Sequence, residues 1–211
     1  MARRGRFITF EGGEGTGKST QAKLLAAALE AKGHKVVLTR EPGGSPGAEE
    51  IRKLLVEGEP DRWTPMAETL LFLAARADHV ARLILPELDR GNWVVCDRFS
   101  DSTLAYQGKA RGLGIDTLGE LQAIALEGFM PHLTLILDVP VEVGLKRAGE
   151  RGHRHEGRFE RFTKDFHERL RSAFRDIAER EPERCVLIDG TKSPDEVAAN
   201  IWRVVQERLS P

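Results

Sequence analysis

One octapeptide limits what this chain can fold into more than any other feature: Gly12-Gly13-Glu14-Gly15-Thr16-Gly17-Lys18-Ser19, which satisfies G-x-x-x-x-G-K-[ST]. It follows the apolar run Phe7-Ile8-Thr9-Phe10 and opens an amphipathic stretch from Thr20 to Lys32. A glycine loop between a strand and a helix is a cradle for phosphate. Glycines let consecutive backbone N–H groups point inward around phosphate oxygens, and the helix N-terminus adds its positive end. The stretch from Gly12 to Thr20 is therefore expected to hold ATP. Lys18 is expected to bridge the β- and γ-phosphates, Ser19 to ligate Mg2+ and Thr20 to touch the α-phosphate.

Downstream, short apolar runs alternate with longer amphipathic ones, a rhythm that predicts α/β with a parallel sheet. Strands are expected at Arg6–Glu11, Lys35–Thr39, Trp93–Asp97, Leu133–Val139 and Cys185–Asp189, rich in Val, Ile, Leu and Phe as when both sheet faces are covered. Helices are expected at Lys18–Lys32, Ala48–Val56, Pro65–Asp89, Ser100–Gln107, Asp116–Glu127, Val141–Glu150, Phe159–Glu181 and Pro194–Leu209. Gly33 and Gly91 suit helix C-termini, and Ser193-Pro194 reads as an N-cap followed by proline. The fold class is a three-layer P-loop fold, a five-stranded parallel sheet flanked by helices, and the 211 residues read as one domain. Two segments read as mobile loops, Glu41–Gly47 and Arg151–Arg158. Ligands of such a sheet bind at the carboxyl ends of its strands.

Charge narrows the partners. With 32 basic and 33 acidic residues the net charge is −1, so the chain as a whole has no electrostatic reason to seek nucleic acid or a membrane. No stretch approaches the length of a membrane span, and Met1–Phe10 lacks the apolar run of a secretory signal. Cys96 and Cys185 stand far apart, outside zinc spacing, which fits a reducing, cytoplasmic location.

Anion binding must then come from local clusters. Asp97 ends one predicted strand and Asp138 another; Asp97 is the expected second acid of the metal site, with Asp138 as its rival. Arg40 and Arg98 follow strands, and Arg151, Arg154 and Arg158 lie in the second loop. Forked guanidinium groups suit the joining of two polyanions, and a phosphate acceptor, deprotonated near neutral pH, needs no general base. A guanine-nucleotide switch is disfavoured, because Thr191-Lys192-Ser193-Pro194 has proline where its guanine-reading motif needs aspartate. A motor ATPase usually needs a longer chain. A small-molecule kinase remains.

Taken in order, Phe10-Glu11-Gly12 with Glu14 and the loop, Thr39-Arg40-Glu41-Pro42-Gly43-Gly44, Phe72-Leu73-Ala74-Ala75-Arg76, Asp97-Arg98-Phe99 with Ser102, and Ala105-Tyr106-Gln107-Gly108 resemble the thymidylate kinases of bacteria. Leu133–Val139 and Gly144-Leu145-Lys146-Arg147 continue the resemblance. It implies transfer of the γ-phosphate of ATP to dTMP, giving dTDP and ADP for dTTP synthesis, by a homodimer. It implies that Glu14 faces the acceptor sugar and accepts from its 3′-hydroxyl, and that Arg40 and Arg98 hold the acceptor phosphate. Phe72 would stack on thymine, Arg76 donate to a thymine carbonyl, and Ser102, Thr103 and Gln107 lie at the base. Tyr106 would close the space beside C2′ and so select deoxynucleotides.

The segment at about residues 149–160 resembles the family's LID. One subtype of the family carries an arginine directly after the P-loop acid and the other supplies catalytic arginines from the LID. Gly15 follows Glu14 here, so the resemblance is to the second, with Arg151, Arg154 and Arg158 joining Lys18, Asp97 and Arg98 as catalytic residues. His153 and His155 have no third ligand nearby and read as solvated loop. His132 stands where the family usually has aspartate and has no role assigned. The adenine side, Asp189-Gly190-Thr191, is generic. Another nucleoside-monophosphate kinase, for UMP or CMP, is the alternative enzyme; a non-catalytic nucleotide switch is the alternative of another kind.

Overall fold

The structure, a computed structural model, describes residues 5–59, 61–150 and 158–211. The apolar runs form strands β1 (Phe7–Glu11), β2 (Val36–Arg40), β3 (Trp93–Asp97), β4 (Leu133–Asp138) and β5 (Cys185–Asp189). All pair in parallel, in the order β2-β3-β1-β4-β5. Helices α1 (Lys18–Ala31), α2 (Pro46–Val56), α3 (Pro65–His79), α4 (Leu85–Asp89), α5 (Ser100–Thr103), α6 (Ile115–Leu126), α7 (Val141–Glu150), α8 (Lys164–Arg180) and α9 (Pro194–Leu209) connect and cover the strands.

Both faces are covered, as the non-alternating strands require. Ile8 and Phe10 of β1 and Leu135 of β4 pack with Leu25 and Leu29 of α1 and Ile201 and Val205 of α9. On the opposite face Phe7 meets Ile84, Leu88 and Phe99, its ring 4.9 Å from that of Phe99 and edge-on. Ile136 packs there against Phe166, Leu170 and Phe174 of α8. Each such buried side chain contributes about 1.5–3 kcal/mol relative to exposure, so this register resists slipping. His132 finds a structural place at the entry to β4: its Nδ1 accepts from the Phe7 N–H at 3.0 Å and its own N–H donates to the Phe7 carbonyl at 2.9 Å.

β1 lies between β3 and β4, where the strand order reverses, and the carboxyl ends of β1, β2 and β3 are level: Phe10 and Arg40 both register with Asp97. The loop leaving β1 therefore emerges at the switch point, where doubly wound sheets place ligands.

Four expectations shift. The predicted helix Pro65–Asp89 is interrupted by a π turn, Val80–Ile84, just before Pro86, whose missing N–H cannot continue an α-helical ladder. The predicted helix Ser100–Gln107 likewise passes from α5 into a π-helical stretch, Leu104–Ala110, a feature that often marks functional sites. The predicted helix Phe159–Glu181 divides into a short 3-10 turn, Phe159–Arg161, and α8, which starts afresh on the Thr163 side-chain cap. Glu41–Gly47, expected to be a mobile loop, is tied down: the Gly44 N–H donates to Glu49 at 2.9 Å and the Ser45 hydroxyl to Asp78 at 2.6 Å. Among the described residues no helix is long and apolar enough to cross a membrane.

Candidate active site

The glycine loop turns on positions that only glycine fits. Gly12 has φ +130°, and a Cβ there would lie 2.5 Å from the Leu137 carbonyl oxygen. Gly15 has φ +67°, and its Cβ would lie 1.8 Å from the Gly144 carbonyl oxygen of α7. Lys18 reaches back over the loop, its ammonium donating to the carbonyls of Gly13 at 2.6 Å and Gly12 at 3.1 Å. Burial, reinforced by the Arg98 charge and opposed by Glu14 and Asp97, lowers this ammonium to about 8. Ser19 and Thr20 are exposed at the start of α1.

The two strand-end acids separate cleanly. Ser19 donates its hydroxyl to Asp97, which places two hard oxygen ligands side by side at the loop. Asp138 instead pairs with Arg171, at 2.6 and 2.9 Å, and with Arg175 at 3.4 Å. It borders a second cleft, behind Gly12, Gly13 and Thr16. Asp97 is thus the acid beside Ser19. No cluster of three or more His, Cys, Asp or Glu suited to a metal occurs among the described residues; His153 and His155 lie outside them.

Beside the loop opens the main cleft, lined by Glu14, Phe72, Arg76, Arg98, Ser102, Thr103, Tyr106 and Gln107 among others. Arg98 joins loop to cleft. It holds a left-handed φ of 72°, at a cost of about 1–2 kcal/mol, and its N–H donates to the Phe10 carbonyl at 2.9 Å. Its guanidinium donates to the Gly12 carbonyl at 3.0 Å, the Ser102 hydroxyl at 3.1 Å and Glu14 at 2.9 Å, and covers the Tyr106 ring. Burial works against the Arg98 charge, yet Tyr106, Glu14 and Asp97 around it carry its pKa upward. For Glu14, burial pulls upward, but Arg98, Lys18 and the Tyr106 hydroxyl outweigh it and bring the carboxyl down to about 2. It is a fixed anion.

Behind this pair stands Glu11, fully buried, accepting from the Phe99 N–H at 2.8 Å, the Ser102 N–H at 3.2 Å and the Ser102 hydroxyl at 2.6 Å. Burial, with the charge of Asp101 adding to it, raises Glu11 to about 7. Phe72, on α3, is half-buried with one side toward the cleft, where a core reading of Leu70–Leu73 would have hidden it.

Two arginines stand elsewhere than the sequence reading expected. Arg40 is exposed, pairs with Glu49 at 3.2 Å and does not line the cleft. Arg52 of α2 does line it, donating to the Pro42 carbonyl at 2.6 Å. Nothing local marks Arg52 in the sequence, where it is one of two adjacent basic residues on an amphipathic helix. Arg158, expected over the transferring phosphate, is 0% exposed and donates to Glu68, to the Leu55 carbonyl at 3.2 Å and to the Glu59 carbonyl at 2.8 Å. Glu68 also accepts from Gln107 at 2.8 Å and Arg111 at 3.0 Å. A glutamate in the first turn of α3 reads in sequence as a partner of the helix dipole, so this hub was not visible there. Arg151 and Arg154 lie outside the described residues.

Comparisons with known proteins identify the family. A family model described as thymidylate kinase matches residues 10–201. The chain is 58% identical over 207 residues to a thymidylate kinase of Bradyrhizobium sp. (strain BTAi1 / ATCC BAA-1182), covering 98% of this chain and 92% of that one. It is 56% identical over 205 residues to one of Caulobacter vibrioides, covering 97% and 98%. The crystal structure of thymidylate kinase from Ehrlichia chaffeensis superposes with a TM-score of 0.77 at 36% identity, covering 96% of this chain and 99% of that one. The chain belongs to the thymidylate kinase family.

Proposed function

We propose that the chain transfers the γ-phosphate of ATP to dTMP, producing dTDP and ADP on the way to dTTP. The observation that carries this reading is Glu14, a carboxylate among phosphate-binding amides that accepts from Tyr106 and Arg98 in the wall of the cleft. The loop that holds the donor thereby also borders the acceptor. ATP lies on Gly12–Thr20, with Lys18 against its phosphates. The oxygens of Ser19 and Asp97 suit Mg2+, which these residues would hold and which, when bound, neutralises charge between the β- and γ-phosphates.

In this reading dTMP occupies the main cleft. Phe72 stacks on the base, with Ser102, Thr103 and Gln107 around it. Arg76 presents only donors, so it favours a 4-carbonyl over the 4-amino group of cytosine. Glu14 accepts from the 3′-hydroxyl while Tyr106 fills the space at C2′. Arg98 holds the acceptor phosphate with Arg52, while Arg40 stays paired with Glu49 outside the cleft lining. Catalysis is positioning plus charge stabilisation, for which Arg98, set between loop and cleft, is the central group. By the family resemblance Arg151 and Arg154 would act on the phosphates, and Arg158, buried against Glu68, anchors the chain that follows them.

A cytoplasmic homodimer is part of the proposal. α3 and α6 pack on each other and expose Met66, Leu70 and Ile124, apolar side chains suited to a partner. Sedimentation of the purified chain checks the dimer. ADP release with ATP–Mg2+ against dTMP, dUMP, UMP, CMP, AMP and GMP checks the activity: dTMP is expected to lead, and equal turnover of UMP and dTMP would sink the deoxy selection assigned to Tyr106. Turnover without any acceptor would favour an ATPase.

A further inference from the structure

Arg76 is 2% exposed, yet it forms part of the cleft wall. Its Nε donates to Oε2 of Glu41 at 2.6 Å, Nη1 to the Thr103 hydroxyl at 2.9 Å and Nη2 to the Phe99 carbonyl at 2.9 Å. A planar guanidinium bonded at all three nitrogens cannot rotate in its plane or out of it. Of its five N–H donors, three are thus engaged among the described residues and two remain.

The strongest of these tethers is itself held. Glu41 follows directly on β2 and uses its second oxygen, Oε1, to accept from Nδ1 of His79 at 3.0 Å. A carboxylate only accepts, so Nδ1 carries the proton. The other ring nitrogen, Nε2, lies 2.9 Å from the Thr39 hydroxyl. His79 is 0% exposed and sits three residues after Arg76 on α3, so the two side chains share one helical face. The turn after Glu41 closes on the ring: a Cβ at Gly44 would lie 2.3 Å from His79 Nε2. The imidazole is clamped, the carboxylate is held by the imidazole, and the guanidinium is held by the carboxylate.

We infer that Glu41 and His79 are positioning residues that aim Arg76 at the acceptor base and thereby set discrimination between a 4-carbonyl and a 4-amino pyrimidine. The inference rests on the reading of Arg76 as the base-facing arginine. A buried ion pair adds little net stability over apolar packing, whereas a fixed donor direction is what a site rejecting a mispaired donor requires. Without His79, Oε1 of Glu41 loses its donor, the carboxylate is free to turn, and Arg76 loses the tether that fixes its plane.

The test compares kcat/KM for dUMP and dCMP in the full-length enzyme; the two bases differ at position 4 and in N3, a donor in uracil and an acceptor in cytosine, so Arg76→Met is included to assign the position-4 share. His79→Leu and Glu41→Gln are expected to lower the dUMP/dCMP ratio about tenfold. For His79→Leu, which touches no substrate in this scheme, kcat at saturating dTMP is expected to stay within about threefold. His79→Asn, whose amide donates from near the Nδ1 position, restores most of the ratio. Thr39→Val is nearly isosteric and removes only the hydroxyl facing Nε2, so it reports even if the other variants fold poorly; about a threefold fall is expected. Arg76→Met separates the two levels of the argument. If it collapses the ratio while the Thr39, Glu41 and His79 variants keep the wild-type value, the positioning role is overturned and the reading of Arg76 stands. If Arg76→Met keeps the ratio, both fall.

Discussion

The hydroxyl of Tyr106 lies 2.6 Å from Oε1 of Glu14, the same oxygen that accepts from Arg98. The tyrosine ring meets the rings of Phe159, Phe166 and Phe174, all edge-on, which fix its orientation. Tyr106→Phe keeps the ring and removes the donor. We expect kcat/KM for dTMP to fall about tenfold, the loss of one hydrogen bond to a charged group, with preference for dUMP over UMP retained. Tyr106→Ala should lose that preference as well. Paired dUMP and UMP kinetics measure both.

Glu11 and Glu14 lie on either side of the first loop glycines and titrate in opposite directions. Glu14 is lowered from 4.5 to about 2, so its stabilising contribution is present above pH 4.5 and lost as pH falls through 2. Glu11 is raised from 4.5 to about 7, so its contribution is present below pH 4.5 and lost as pH rises through 7. Each amounts to at most about 3 kcal/mol. Urea unfolding across this range should show the deficit of Glu14→Gln shrinking below pH 4.5. Glu11→Gln should flatten the loss of stability between pH 4.5 and 7.

Arg158 and Glu68 form a buried pair, and removing Arg158 leaves Glu68 to Arg111 and Gln107 and takes the donor from the Leu55 and Glu59 carbonyls. Arg158→Ala is therefore expected to cost about 1–3 kcal/mol of folding stability, read by urea denaturation at pH 7. An arginine working only from a solvent-facing LID would cost nothing there. A fall in turnover with unchanged stability would show that the buried seat is not its working position.

Arg52 lines the cleft and Arg40 does not. Arg52→Ala should raise KM for dTMP about tenfold, and Arg40→Ala should raise it less, both with smaller changes in the KM for ATP. Initial rates with each substrate varied in turn decide the order.

The sheet was legible because each strand is a short, mostly apolar run without polar alternation, and the loop because G-K-[ST] spacing has a mechanism attached. Arg98 was legible by its place directly after a strand; Glu14, Phe72, Arg76 and Tyr106 as lining residues were legible through resemblance, since nothing in the local pattern of Phe72 or Tyr106 separates a cleft residue from a core one. What escaped is long-range. The pairing of Glu68 with Arg158 spans 90 residues, that of Arg76 with Glu41 35, and neither carboxylate differs locally from an ordinary helix or turn acid. The π-helical stretch that carries Tyr106 and Gln107 was missed for another reason. Apolar periodicity cannot tell a wide turn from an α-turn over seven residues.

Gly15 and Gly144 meet backbone to backbone: a Cβ on the first would strike the Gly144 carbonyl, and a Cβ on the second would lie 2.5 Å from the Glu14 carbonyl oxygen. This mutual exclusion has an evolutionary reading. An arginine cannot be moved to the position after Glu14 by one codon change, because the seat of α7 forbids any side chain there and the backbone is left-handed besides. A side chain at position 15 would require the helix and the loop to change together. Two hydrogen-sized side chains thus seat α7 on the loop and, in the proposed reading, leave the arginine chemistry to other segments.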